Sequence, residues 1–228
     1  VTPTVTTDYK LVVSQTINGI TCSDTVMTRV KVNPLPGISI SPIPERCVYH
    51  SVLHLNDYVN PTGGTWDLRP GLVLPDNFIP AAAGSGLHWV KYEYTDPITF
   101  CVNRDSAIIT INPRPEPDAG VDESICSTSG NYDLVSKGLP SSPPGQWRGT
   151  GVKGGINSWY FDPLATGIVD GGKYDLIYKY TDTKTCENED TVVITVYETP
   201  VVNPGTYADV CIDKDFVQLK GTPAGGFW

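Results

Sequence analysis

The sequence predicts an all-β fold, a tandem, elongated array of immunoglobulin-like β-sandwich domains, from three observations. The first is composition. The 228 residues include 22 Gly and 20 Pro, a single Met and only 18% charged residues. β-Branched and aromatic residues suit a pleated, half-buried surface, while Gly and Pro supply the turns between short strands. The second is alternation. KYDLIYKYTD (173–182) and DTVVITVYE (190–198) alternate with a period of two, and no stretch keeps a helical period for three turns. The third is internal repetition.

The repeat is read from landmarks. GGTW, PGQW and GGFW end on Trp66, Trp147 and Trp228, 81 residues apart at each step. Cys47, Cys126 and Cys211 each precede a leucine by eight residues, at Leu55, Leu134 and Leu219. Cys22, Cys101 and Cys186 form a second series, each followed by an aspartate (Asp24, Asp105, Asp190) and a Val/Ile-rich run. HWVKYEYTD (88–96) matches YDLIYKYTD (174–182), and YKLVVSQT (9–16) is a third copy. The chain therefore divides into residues 1–34, the C-terminal part of one repeat; 35–113 and 114–198, two complete repeats; and 199–228, the N-terminal part of another. The divisions fall in NPLPG, NPRPEP and YETPVVNPG, which read as short semi-rigid links. A repeat of this length is a small domain. The reading expects a section of a longer array, with 199–228 a half-domain that is ordered only when something completes it.

Within the third repeat the strands are NYDLV (131–135), QWRGTGV (146–152), KYDLIYKYTD and DTVVITVYE. SKGLPSSPPG and ATGIVDGG are loops, and the last two strands form a hairpin turning in TDTKTCENED. Tyr174, Leu176, Tyr178 and Tyr180 share one face; Lys173, Asp175 and Lys179 share the other. Tyr92 and Tyr94 take the places of Tyr178 and Tyr180 in the second repeat. Trp66, Trp147 and Trp228 are predicted to plug the sandwich cores. Trp89 and Trp159 have no counterpart in the other complete repeat, and Asp175 stands where Trp89 does. Both tryptophans are therefore candidate ligand-facing aromatics.

Charge and motifs narrow the function. A net charge of −9 with no basic stripe argues against nucleic acid as a partner. There is no run of about 18 apolar residues, the length of a membrane-spanning helix. Convergent catalytic groups are not found. His50 and His54 fall on one predicted strand about 13 Å apart at strand rise. No Gly-x-Ser-x-Gly elbow occurs, and GTGVKGG (149–155) lacks the Lys-Ser/Thr ending of a phosphate loop. The chain is read as not an enzyme and as needing no cofactor. Calcium is the one ion to weigh, because Asp96 and Asp105 flank one hairpin and Asp182, Glu189 and Asp190 flank its counterpart; the competing reading is hairpin-turn aspartates. Six cysteines at repeating positions, with no Cys-x-x-Cys and no Cys/His cluster, point to disulfides and an extracellular location.

The order Cys…Leu…Gly-x-Trp…Phe-x-Pro…Gly-x-Tyr-x-x-x-Tyr…Cys…Asp-Thr-Val-x-Ile-x-Val resembles the Ig-like and PKD-like repeats of giant Bacteroidota cell-surface proteins, such as gliding-motility adhesins of the SprB type. The resemblance implies type IX secretion, a place on the cell surface, and tandem domains that act as a stalk. Its partners would be neighbouring repeats of the same polypeptide, other copies in a filament, or a surface polysaccharide. It favours disulfides within a repeat, Cys47–Cys101 and Cys126–Cys186, leaving Cys22 and Cys211 to pair outside the chain. The rival joins cysteines next in sequence, Cys22–Cys47, Cys101–Cys126 and Cys186–Cys211, each 25 residues apart. A plain strand count sets Cys126 at the opposite end of the sandwich from the Cys186 hairpin, which weighs against the first scheme. The functional readings are an adhesive or structural stalk, a module for glycans or surface polymers, or an accessory region of a secreted enzyme.

Overall fold

The computed structural model describes residues 2–67, 72–73, 76–213 and 216–228, with only the backbone of Leu72 and Val73. The chain forms two compact units, Val1–Pro113 and Arg114–Trp228. Each contains one complete β-sandwich.

The first unit opens with a hairpin of β1 (Thr7–Ile17) and β2 (Ile20–Val30). Asn18 and Gly19 form its two-residue turn, both at positive φ, as the right-handed twist of a tight hairpin demands. The sandwich follows. Its strands are β3 (Ser39–Ile40), β4 (Arg46–Cys47), β5 (Leu53–His54), β6 (Val59–Asn60), β7 (Thr65–Trp66), β8 (Leu72–Val73), β9 (Asn77–Phe78), β10 (Gly86–Thr95) and β11 (Val102–Asn112). One sheet has the order β4-β11-β10-β7, and β5-β9-β8 and β3-β6 make the smaller sheets. A single turn of helix, α1 (Pro80–Ala83), leads into β10.

The second unit repeats the plan with β12 (Glu123–Cys126), β13 (Tyr132–Asp133), β14 (Gln146–Arg148), β15 (Val152–Lys153), β16 (Tyr160–Phe161), β17 (Gly172–Thr181) and β18 (Glu187–Tyr197). Its main sheet has the order β12-β18-β17-β14, and β13-β16-β15 forms the second. β4 runs parallel to β11 and β12 runs parallel to β18, the last strand of each sandwich, and the other described strand pairs are antiparallel. QWRGTGV, predicted as one strand, is two strands in different sheets. The chain changes sheets at Gly149 and Gly151, both at positive φ. A Cβ at Gly151 would lie 2.6 Å from the Phe161 ring, so only glycine permits this corner.

Alternation places the core. Leu176, Tyr178 and Tyr180 on β17 and Val192, Ile194 and Val196 on β18 are buried, and close around Leu134, Trp147 and Phe161. Val90, Tyr92, Ile109 and Ile111 do the same around Leu53, Leu55, Trp66 and Phe78. Tyr94 is half-buried at the edge of that core. The Trp rings lie tilted against the tyrosines, with centroids 4.8 Å apart for Trp66–Tyr92 and 5.0 Å for Trp147–Tyr178. Each tyrosine hydroxyl is also a polar bridge. Tyr92 Oη accepts from Gly64 N–H (2.6 Å) and donates to Pro61 C=O (2.9 Å); Tyr178 Oη accepts from Gly145 N–H (3.0 Å) and donates to Pro140 C=O (2.7 Å). The Gly-x-Trp motif thus has a mechanical reason. A Cβ at Gly64 would meet Glu93 O at 2.2 Å, and one at Gly145 would meet the Tyr178 ring at 2.4 Å.

The outer segments carry the same residues without the cover. Leu11 and Val26 stand opposite each other in register, as do Val90 with Ala107 and Leu176 with Val192. Val90 and Leu176 are fully buried, whereas Leu11 is 58% exposed. Trp228, predicted as a core residue, is 67% exposed, with its ring edge-on to Tyr207. Its counterparts are buried by a Tyr-bearing hairpin, and among the described residues no such hairpin packs on Trp228.

The register corrects the cysteine pairing. Cys47 stands opposite Asn112 at the far end of β11, and Cys126 opposite Tyr197 at the far end of β18. Cys101 and Cys186 sit at the hairpin turns where those strands begin. Eleven residues of extended chain span about 35 Å, whereas a disulfide needs Cα atoms within about 7 Å. Cys47–Cys101 and Cys126–Cys186 are therefore not made. Nor is the 25-residue scheme, since Cys22, Cys101, Cys126 and Cys211 are free thiols. Cys47 and Cys186 are buried and disulfide-bonded.

Removing the bridging hydroxyl with Tyr178→Phe leaves the Gly145 amide and Pro140 carbonyl unpaired and should cost about 1–3 kcal/mol. Gly145→Ala should cost a similar amount, about 1–3 kcal/mol, through overpacking. Urea titrations of the whole chain check both; an unchanged midpoint for either would refute the role given to the bridge.

Candidate functional site

The alternation that buries Val90 and Tyr92 turns the intervening residues of β10 outward. Across the hairpin these pair as Leu87–Thr110, Trp89–Ile108, Lys91–Ser106 and Glu93–Arg104. The face has two halves. At one end Trp89 is 58% exposed, with Leu87 and Ile108 exposed beside it, an apolar patch on an otherwise polar sheet. At the other, Arg104 Nε and Glu93 Oε2 form an ion pair at 2.6 Å. Thr65, Asp67, Lys91, Glu93 and Arg104 line a shallow groove beside it, where Asp67 N–H bonds to Lys91 C=O. An exposed aromatic ring flanked by charged and amide groups can stack on the apolar face of a sugar while its neighbours bond the hydroxyls.

The same face of the second sandwich is built differently. Lys173, Asp175, Ile177 and Lys179 pair with Thr195, Val193, Thr191 and Glu189. Ion pairs Arg148–Glu189 (2.6 Å) and Lys179–Glu187 (2.7 Å) cover it. Among the described residues, this face carries an aromatic patch in the first unit and none in the second.

Trp159 does not form a second platform, which corrects the sequence reading. It precedes β16, accepts a bond from Leu134 N–H through its carbonyl, and packs half-buried against the second core, with Nε1 enclosed. Leu87 and Ile108 were missed by sequence reasoning. The signal for Leu87 was present, because it lies two residues from Trp89 and shares its face; Ile108 needed the register.

Other sequence-flagged groups are engaged locally. His50 accepts from Cys47 N–H through Nδ1, in a turn after β4, so it is not on the predicted strand; exposed His54 pairs with Asn77. Asp96 Oδ1 accepts from the amides of Ile98 and Thr99 and from the Thr99 hydroxyl. Those bonds, led by Thr99, hold the carboxyl below the usual aspartate range. Asp182 Oδ1 likewise accepts from Lys184 and Cys186 amides, and Asp190 Oδ2 from the Ala119 amide. Asp105 Oδ1 accepts from Ser106 N–H. These are hairpin and loop clamps. Among the described residues no three His, Cys, Asp or Glu side chains are grouped to hold a metal ion. No described helix is long and apolar enough to cross a membrane. A cluster with no counterpart in the sequence reading joins Lys137 to Glu123 at 2.8 Å, with the ammonium 5.2 Å from the Tyr132 ring centre.

Comparisons with known proteins follow the fold. No protein-family model matches the chain, and no curated protein sequence matches it. Among solved structures, the chain is similar to the EC1–3 fragment of mouse protocadherin-24, with a TM-score of 0.29 and 10% identity over 84% of this chain and 80% of that one. It is also similar to an endo-fucoidan hydrolase of glycoside hydrolase family 107, with a TM-score of 0.25 and 15% identity over 86% of this chain and 35% of that one. Both likenesses are remote.

The Asp96 clamp has a pH signature. Its lowered folded-state pKa means the clamp stabilises the hairpin above the unfolded aspartate value of about 3.9. That contribution fades as pH falls through the lower folded value. A carboxyl NMR titration should place the Asp96 midpoint below about 3.9, and Thr99→Val should raise it; equal midpoints would contradict the clamp.

Proposed function

We propose that this chain is a structural and adhesive segment of a multi-domain extracellular protein of the cell surface, in which each β-sandwich is a load-bearing link of a stalk, and that it is not an enzyme. The supporting observation is the repetition of one internal scaffold. Both complete repeats keep the Gly-x-Trp corner, the Tyr bridge and a cysteine-bearing strand parallel to the last strand, while their outer faces diverge. Constant cores with variable surfaces suit a spacer whose demand is mechanical. The parallel pairing of β4 with β11 and of β12 with β18 serves that demand. Pulling on both ends of a repeat loads β4 against β11, or β12 against β18, in shear, where several ladder bonds must break together. Placement in a fibre of the gliding-adhesin kind, exported by a type IX route, is the finer form of the proposal. The disulfide and the secreted-type composition support the extracellular part.

A second reading rests on one surface. The patch of Leu87, Trp89 and Ile108 beside the Glu93–Arg104 pair would bind a glycan or surface polymer, which makes the first unit a contact point on the stalk.

Single-molecule pulling of the chain in reductant should give two resolved force peaks, each releasing about 25 nm of chain, as each complete repeat opens alone. A single merged event, or opening without measurable force, would refute the mechanical role. Glycan-array binding that Trp89→Ala abolishes, with unchanged melting temperature, would establish the contact surface; binding that survives Trp89→Ala would remove it.

A further inference from the structure

On the load-bearing reading above, we propose that the two sandwiches open in a fixed order: the first yields at lower force and is the sacrificial link, and the second holds. The difference lies in the strand that each sandwich pairs in parallel with its last strand. In the first, Arg46 and Cys47 of β4 lie in register with Ile111 and Asn112, at the very end of β11. In the second, Glu123, Ser124, Ile125 and Cys126 of β12 lie in register with Ile194, Thr195, Val196 and Tyr197. The sequence explains why β4 is short. Counted back from the cysteine, Pro44 stands where Glu123 does, and Pro42 where Val121 does. Proline has no N–H to give to a ladder and its ring fixes φ, so β4 cannot extend back through these positions.

The ends of the two patches differ in the same sense. Each has one backbone bond just past it, Val48 N–H to Asn112 C=O at 2.9 Å and Ser127 N–H to Tyr197 C=O at 2.8 Å. The second sandwich adds side-chain ties around it. Asp122 Oδ1 accepts from Val193 N–H at 2.9 Å, and Ser127 Oγ from Thr199 N–H at 3.2 Å. Asp170 Oδ1 accepts from Glu198 N–H at 2.6 Å, and the hydroxyls of Thr128 and Thr199 meet at 2.6 Å. The first sandwich has Ile43 in place of Asp122, Val48 in place of Ser127, and Pro113, which has no N–H, in place of Glu198. Its own side-chain tie runs from Asn112 Nδ2 to Glu45 Oε2 at 3.0 Å. The segments ahead of the patches are held in similar ways, by β3 against β6 in the first sandwich and by the reciprocal backbone bonds of Asp118 and Leu139 in the second.

Force along a parallel pair strains every bond of the patch at once. The longer patch, with its side-chain ties, therefore survives a force that parts the shorter one. A weak link in series with a strong one lengthens the chain by a single module and limits the tension that reaches the other.

The test pulls the full chain in reductant, which opens the disulfides of Cys47 and Cys186. An insert of about 20 Gly/Ser residues after Gly130 adds about 7 nm to the release of the second sandwich alone. Gly130 is exposed in the loop that follows β12, so the insert leaves the patch intact. The short event should come first, and the long event should follow at higher force. The double variant Asp122→Ala, Ser127→Ala should shift the long event to lower force and leave the short one in place; should that variant not fold by circular dichroism, the insert alone decides the order. A long event that comes first, two events at one force, or a long event that the folded double variant does not move would overturn the proposal and leave the load-bearing reading standing. Opening without measurable force would remove both.

Discussion

Each sandwich depends on one buried hydroxyl. Tyr92 and Tyr178 sit at the centre of their strands, under the Trp ring, with Oη between a glycine amide and a proline carbonyl. A buried hydroxyl without partners is costly, so the loop that supplies them is held in place by the same bond that satisfies the tyrosine. That loop carries the chain to the Gly-x-Trp strand. The tyrosine therefore sets where β7 or β14 joins the sheet, and the Trp that follows closes the core from above. The glycine is required because any side chain there would occupy the space of the tyrosine ring or of the adjacent carbonyl.

The rest of the module is arranged around this fixed point. The long hairpin offers one face to the core and one to solvent. The core face is nearly invariant between the two repeats: Val90 and Leu176, Tyr92 and Tyr178, Ile109 and Ile194, Ile111 and Val196. The outer face is free to vary, and it does, from an aromatic patch in one repeat to a lattice of ion pairs in the other. On β1–β2 the equivalent residues, Leu11 and Val26, lie open to solvent.

The cysteines follow a different logic from the core. They lie at the two ends of the sandwich, far from the Trp–Tyr centre, and the strand between them keeps them apart. A disulfide inside a small domain compensates for a small core. Here each core is closed by a large aromatic pair between packed sheets, and the cysteines stand at the ends of the long strands.

Much of this was legible in the sequence, for physical reasons that can be named. Strict alternation along YKLVVSQT, HWVKYEYTD and YDLIYKYTD marked the hairpins, because strand side chains alternate faces. The 81-residue recurrence of Gly-x-Trp marked the modules. The candidate surface was half legible: Trp89 could be placed outward from its strand, but its neighbour Ile108 required the register. Trp159 was misread because a residue without a counterpart in the other repeat can fill a gap in the core as readily as face a ligand. The two-residue strands, and the division of QWRGTGV between sheets at Gly149 and Gly151, have no period long enough to read. The sequence by itself determined the alternation, the repeat and the residues able to form the core, since these are local. Only the tertiary structure decided which cysteines of one repeat lie too far apart to pair, because their separation is set by the length and direction of the strand between them and by the parallel pairing of β4 with β11 and of β12 with β18. No spacing along the chain records that.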